Sequence, residues 1–89
     1  MTHVRLQISD RLAVPEGLIG MLGGTEVARH HVNDAYGGYT TIIVDMPGAP
    51  AHAHTMTPIF TKHDDGRVAL ASIEYTSAGG DRIQIQRRP

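Results

Sequence analysis

Alternation of apolar and polar residues with a period of two is the feature that most constrains the fold of this chain. In HVRLQIS, residues 3–9, every second residue is aliphatic, and RIQIQ, residues 82–86, repeats the pattern with Ile83 and Ile85. Successive side chains of a strand point to opposite faces of a sheet, so such runs are typical of strands with one buried face. The pattern predicts a largely β protein in which Ile83 and Ile85 point inward.

The same reasoning along the whole chain predicts about five to six strands. YTTIIVDM, residues 39–46, has the strongest strand character, and we expect it to lie inside the sheet. Pro58 has no N–H to donate to a ladder, so it predicts an edge strand or a bulge at that point. The predicted strands cover residues 3–9, 25–34, 39–46, 52–62, 67–76 and 82–86.

One short helix is predicted at residues 14–22, where the alternation stops. Pro15 suits a first helical turn because its missing N–H is not needed there. Leu18 and Leu22, one helical turn apart, begin an apolar stripe that can dock on a sheet. Glycines inside the segment each cost roughly 1 kcal/mol relative to Ala, so we expect a helix of about two turns.

The turns between the strands favour an antiparallel meander. Asp65-Gly66, in the HDDG of residues 63–66, can adopt the positive φ angles of a tight hairpin. We therefore expect one α+β domain over residues 1–89, with the order β-α-β-β-β-β-β and a mostly antiparallel sheet packed against the helix. A chain of 89 residues has room for only one core.

Composition excludes several classes of function. The chain has no Cys, which excludes disulfides, thiol catalysis and thiolate zinc sites. Its formal net charge of −1 creates no strong attraction to nucleic acid or membrane, and no apolar run approaches the ~20 residues of a membrane span. MTHVRLQISD does not resemble a signal peptide, so we expect a cytoplasmic protein. Seven Arg against one Lys indicate a GC-rich genome, such as that of an actinobacterium, a pseudomonad or one of their phages.

Six histidines are the residues best suited to carry chemistry. If their stretch is a strand, His52 and His54 share a face about 7 Å apart. His30 or His31 could then complete a transition-metal site with Asp45 as a carboxylate ligand. The same residues also fit a solvated strand face with no specific role, or an interface sensitive to mild acid. Metal or small-ligand binding is therefore an alternative function, and the sequence indicates no other cofactor.

Basic and amide side chains near the C-terminus predict a contact surface. Arg82, Gln84 and Gln86 are expected to share the outward face of the last strand, and Arg87 follows them. This pattern fits a protein contact or an edge protected by charge. Aromatic residues for base stacking are few and no nucleic-acid motif is present, so we do not expect nucleic-acid binding.

Familiar catalytic motifs are not indicated. GLIGMLGGT lacks the Gly-Lys-Ser/Thr ending of a phosphate-binding loop, and none of the three serines stands in a Gly-x-Ser-x-Gly elbow. We therefore expect a small non-enzymatic interaction protein, a regulator or inhibitor that binds a protein partner of unknown identity through its sheet surface or edge. Because the core is thin and aliphatic, self-association is also expected, and a structural subunit of a homo-oligomer or particle is the alternative.

Overall fold

A single sheet of six strands with one short helix makes up the part of the chain that the computed structural model describes, residues 2–12, 14 and 16–87. The elements are β1 (His3–Ser9), α1 (Leu18–Leu22), β2 (Thr25–Asp34), β3 (Gly37–Asp45), β4 (Thr55–Lys62), β5 (Val68–Thr76) and β6 (Arg82–Arg87). The predicted α+β class, the mostly antiparallel sheet and the order of elements are confirmed. Within these residues no helix has the length and apolar character to cross a membrane.

The strands lie in the order β2-β3-β1-β4-β5-β6, with every adjacent pair antiparallel except β1 and β4. The predicted simple meander is therefore wrong, because β1 lies between β3 and β4. Residues 46–54 connect β3 to β4 past the beginning of β1, where Met46 N–H donates to Thr2 O and Arg5 N–H to His54 O. Period-two alternation predicts a strand but not its neighbours, so the sequence could not reveal this insertion.

The core lies on the face of the sheet that α1 covers. Leu18 and Leu22 of α1 are buried against it, as the apolar stripe predicts. Strands β1, β3, β4 and β5 supply most of the rest. The buried hydrophobic residues are Val4, Leu6, Leu18, Leu22, Ile42, Val44, Met46, Met56, Ile73 and Tyr75.

The helix is shorter than predicted. It spans Leu18–Leu22 and ends at Gly23, whose φ of 82° lets the chain turn towards β2. Val14 lies outside the helix and is 39% exposed, while Pro15, the predicted first-turn residue, lies outside the described residues. Because α1 has only five residues, it covers one end of the sheet face and leaves the other end open.

The predicted hairpin at residues 63–66 is confirmed. His63 N–H donates to Arg67 O at 2.8 Å, and Gly66 N–H donates to His63 O at 2.9 Å. Gly66 has a φ of 90°, which favours glycine at this position. The turn joins β4 to β5 and fixes the pairing of these two strands.

Pro58 lies beside a bulge, as one of the two predicted alternatives requires. The register between β4 and β5 shifts at Ile59/Phe60, directly after the Pro58–Ile73 pair. β4 is not an edge strand in the sheet order, but within the described part of the chain the side of β4 that faces β1 has a registered partner only at Thr55. Pro58 can therefore occupy an interior strand without breaking a ladder bond to β1.

Candidate functional site

The histidines that were candidate metal ligands lie in separate parts of the molecule. His52 is in a turn before β4, and His54 is in the extended residues that precede the strand, so the predicted strand over residues 52–54 is wrong. His30 and His31 belong to the edge strand β2, which β3 and β1 separate from β4. The strand prediction fails because the crossover of residues 46–54 bends at positions where the sequence predicts a straight strand.

The described residues also contain no group of three or more His, Cys, Asp or Glu side chains that could hold a metal ion. Asp45, the proposed carboxylate ligand, is opposite His3 on β1 and Thr25 on β2. His30 is opposite Thr41, and His31 is opposite Thr40. The four candidate histidines and Asp45 therefore do not converge on one point.

His31 contacts a carboxylate that the sequence did not predict. Its Nε2 lies 2.8 Å from Asp10 Oδ2, although 21 residues separate the two in the chain. Asp10 N–H also donates to Gly38 O at 3.0 Å. A Cβ on Gly38 would overlap the Asp10 carboxylate, so the glycine leaves room for this contact. Both side chains are about half exposed, so the pair is a solvated link between the end of β1 and β2.

The most distinctive feature of the sheet is a gap between β1 and β4. Among the described residues, Arg5 and Thr55 are the one registered pair that joins these parallel strands. Past this pair the strands diverge, and a groove of about 450 Å³ lies between them. In this region the facing edges of β1 and β4 are open to a further strand, because neither has a ladder partner on that side in the described chain.

Side chains of both strands and of the β1–α1 loop line this groove, which we call the β1–β4 groove. Leu12 and Val14 of the loop are 65% and 39% exposed beside it. The polar lining comes from Arg5, Gln7, Thr55 and Thr57, and the apolar lining from Leu6, Ile8, Leu12, Val14, Leu18, Met56, Pro58 and Phe60. Successive residues of a strand point to opposite faces of the sheet. Apolar side chains therefore line the groove on one face, and polar side chains line it on the other.

A second depression, of about 570 Å³, continues under the same loop towards β2. It shares Ile8, Leu12, Val14 and Leu18 with the β1–β4 groove, and its polar lining includes Asp10 and Arg29. The sequence did not indicate either depression. Leu12 and Val14 form an apolar pair in the sequence, but the sequence predicts Val14 in the helix. No local sequence pattern predicts that β1 diverges from β4.

The two outer strands differ in how they present their edges. On β2, Glu26 and Arg29 form an ion pair with an N–O distance of 2.5 Å, and the register shifts between Glu26 and Ala28. The hydrogen bond to Glu26, and then the Glu26 charge, raise the pKa of Arg29. Charges and bulges are common protection on an edge strand. β6 also has a register shift, between Gln84 and Arg82, and there Ile83 and Ile85 are 39% and 36% exposed.

The predicted orientation of β6 is wrong. Gln84 is opposite the buried Tyr75, and Gln86 is opposite the buried Ile73, so both glutamines lie on the α1 side of the sheet. Ile85 is opposite Glu74 on the other face. The predicted common face holds for Gln84 and Gln86 but not for Arg82, because the register shifts between Gln84 and Arg82. The burial of a face depends on the helix, which the alternation of one strand does not reveal.

The four predicted contact residues of β6 consequently divide between two faces. Arg82 is opposite Thr76 and Arg87 is opposite Ser72, on the side away from α1. Gln84 and Gln86 lie on the α1 side. The structure therefore places Arg82 and Arg87 on the face of the exposed Ile85 and not on the face of the two glutamines.

Comparison of the chain with protein-family models, with curated proteins and with solved structures finds no match.

Proposed function

We propose that this chain is a small interaction protein, a regulator or inhibitor, that binds a protein partner by accepting an extended segment of it into the β1–β4 groove. The observation that carries this proposal is that, among the residues the structure describes, β1 and β4 have one registered pair, Arg5–Thr55, beyond which their facing edges are open. A strand added there gains main-chain hydrogen bonds, which supply affinity in β-strand addition.

The lining of the groove specifies the chemistry of that segment. On the α1 side the segment would meet Ile8, Phe60 and the exposed Leu12, while on the other side it would meet Gln7 and Thr57. Side chains of an extended segment point alternately to the two sides. The preferred segment therefore alternates bulky apolar residues with polar ones.

The exposure of the loop residues supports the same partner. Leu12 exposes 65% of its surface and Val14 exposes 39%, and both line the groove. Exposed apolar residues that gather along a groove are typical of protein interaction sites, whereas isolated ones are ordinary. A bound segment would cover both residues and would be held between the loop and the sheet.

Selection from a displayed library of random peptides tests this function. We expect the wild-type chain to enrich peptides with alternating apolar residues, and the Leu12→Glu variant to lose them because the charge would enter the apolar side of the groove. Tyr36→Glu is the matched control, since Tyr36 is 88% exposed in the β2–β3 turn and outside the groove. Failure to enrich any such peptide, or equal binding to Leu12→Glu, would contradict the proposal.

Backbone methylation of an enriched peptide separates strand addition from simple apolar contact. An N-methyl group removes one main-chain donor and leaves every side chain unchanged. We expect methylation in either alternation to weaken binding, because successive N–H groups of a segment between two strands face β1 and β4 in turn. Binding that tolerates both alternations would show that the segment does not pair with β1 or β4.

A further inference from the structure

We infer that the segment bound in the β1–β4 groove is the C-terminal end of the partner chain, with its terminal carboxylate at Arg5, an inference that rests on the proposed function. The groove is closed at one end, β1 and β4 run in the same direction, and Arg5 lines the closed end. Together these features determine the direction of the segment and the charge that it meets.

The groove is closed at the Arg5–Thr55 pair. Arg5 N–H donates to His54 O at 2.9 Å, so a main-chain hydrogen bond joins the two parts of the chain at this point. Apart from the pair itself, the β1 and β4 residues that line the groove all follow Arg5 and Thr55 in sequence. An extended segment can therefore enter from the open end but cannot continue between the strands past Arg5.

The parallel direction of β1 and β4 leaves an inserted segment two orientations, antiparallel to both strands or parallel to both. Every other adjacent pair in the described sheet is antiparallel. Antiparallel pairing is slightly more stable per residue, which favours the first orientation. Because β1 and β4 run from the closed end to the open end, an antiparallel segment runs the other way, and its C-terminus reaches the closed end.

Arg5 provides a complementary charge for that C-terminus. It lines the groove and lies on the same sheet face as Gln7. Among the residues that the structure describes, the Arg5 guanidinium forms no ion pair, and Asp45, on the same face of β3, is opposite His3. A guanidinium can bind a carboxylate through two parallel N–H···O bonds. The opposite orientation would bring an N-terminus to the same point, and the positive charge of a free N-terminus would be repelled there.

A chain end also fits the closed end better than an internal segment does. An internal segment would have to turn out of the sheet before the Arg5–Thr55 pair, and main-chain groups in that turn would lose their ladder partners. A C-terminus needs no turn, because its last group is the carboxylate. The lining between Thr55 and Phe60 has room for about five residues of extended chain. The partner is therefore a protein whose last few residues are extended and exposed.

Amidation of a bound peptide tests the role of the carboxylate. Peptides selected from a library displayed with free C-termini are synthesised as the free acid and as the C-terminal amide. We expect the wild-type chain to bind the acid about tenfold more tightly, as for a charge-assisted hydrogen bond, and added salt to reduce the difference. Equal affinities would overturn this inference and leave the proposed function standing. Failure of every selected peptide to bind in either form would overturn both.

Arg5→Gln tests whether this residue receives the carboxylate. The variant should bind the acid as weakly as the wild type binds the amide, and its affinity for the amide should be unchanged. Arg5→Lys keeps the charge and should retain part of the preference for the acid. A full preference for the acid in Arg5→Gln would overturn the inference.

Arg82→Gln is the matched control for Arg5→Gln. Arg82 is exposed, lies on the same sheet face as Arg5 and is outside the groove. Arg82→Gln should therefore keep the tenfold preference for the acid. Urea unfolding checks that both variants retain the stability of the wild type. Equal loss of the preference in the two variants would mean that the effect comes from the net charge of the sheet face, which would also overturn the inference.

Disulfide cross-linking tests the direction of the segment, because the chain contains no native Cys. Lys62 ends β4 beyond the open end of the groove, and Lys62→Cys places a thiol there. A selected peptide with Cys added at its N-terminus should cross-link to this variant faster than the same peptide with Cys as its penultimate residue. The reverse order would show that the segment lies parallel to β1 and β4 and would overturn the inference.

Discussion

Gly24 lies so close to Val44 that there is no space for a side chain between them. A Cβ on Gly24 would lie 2.5 Å from Val44 Cγ1 and 2.6 Å from Met46 Sδ, and Val44 is fully buried. The chain leaves α1 at this point and enters β2, so the contact fixes how closely the helix approaches the sheet. The packing of α1 therefore requires a residue without a side chain at Gly24.

Gly24→Ala should destabilise the protein. The added methyl group must displace Val44 or Met46, and overpacking of this kind typically costs about 1–3 kcal/mol. Gly20→Ala is the matched control, because a Cβ there has nothing within 4 Å and the residue lies inside α1. Replacing a helical Gly by Ala stabilises by roughly 0.5–1 kcal/mol. Urea unfolding should show midpoints that move in opposite directions, and a shared direction would contradict this packing.

Leu22→Ala should release the helix from the sheet. Leu22 is fully buried in the core, and truncation of a buried Leu costs about 2–5 kcal/mol. Met21→Ala, one residue earlier and at a 39% exposed side chain, should cost far less. Thermal unfolding followed by circular dichroism can compare the two variants. Similar losses of stability would mean that α1 does not dock through Leu22.

The local elements of this fold follow from the sequence, because they depend on neighbouring residues. The hairpin at Gly66 and the bulge beside Pro58 are confirmed, since positive φ and a missing N–H act within a few residues. The insertion of β1 between β3 and β4 could not be predicted in this way. Strand order depends on contacts between residues that are far apart in sequence, and all candidate strands alternate similarly.

The same distinction explains what could be predicted of the candidate sites. The inward orientation predicted for Ile85 was wrong, because burial depends on where a helix of five residues ends. The His31–Asp10 contact requires the β2-β3-β1 order and the space at Gly38. The β1–β4 groove arises because β1 and β4 diverge. No periodicity, motif or compositional bias in the sequence indicates this divergence.

The His31–Asp10 pair should contribute a small coupling energy to stability. Exposed ion pairs typically give about 0.2–1 kcal/mol, and salt lowers this value. A double-mutant cycle with His31→Ala and Asp10→Ala measures it through urea unfolding. The cycle of His30→Ala with Asp10→Ala is the control, because His30 points to the opposite face of β2 and should show no coupling. Equal coupling in both cycles would show that the effect is not specific to this contact.

Gly38→Ala should remove the same coupling without changing either partner. A Cβ at residue 38 would overlap the Asp10 carboxylate and would lie 2.8 Å from Asn33 Oδ1. Because the Asp10 side chain is flexible, it should turn away, and the cost should fall well below that of Gly24→Ala. We expect the His31–Asp10 cycle, repeated in the Gly38→Ala background, to give no coupling within error. Retained coupling would mean that the Asp10 carboxylate still contacts His31 when residue 38 carries a methyl group.

The β1–β4 groove should bind a fluorescent apolar dye such as anilinonaphthalene sulfonate in the native state. Its volume of about 450 Å³ lies within the range of roughly 300–1,000 Å³ that is typical of small-molecule sites. Leu12→Glu should reduce the fluorescence enhancement by placing a charge beside the dye, whereas Tyr36→Glu should not. Because Leu12 and Tyr36 are 65% and 88% exposed, neither substitution should change the free energy of unfolding by more than about 0.5 kcal/mol. Equal fluorescence from both variants, at equal stability, would show that the dye binds elsewhere.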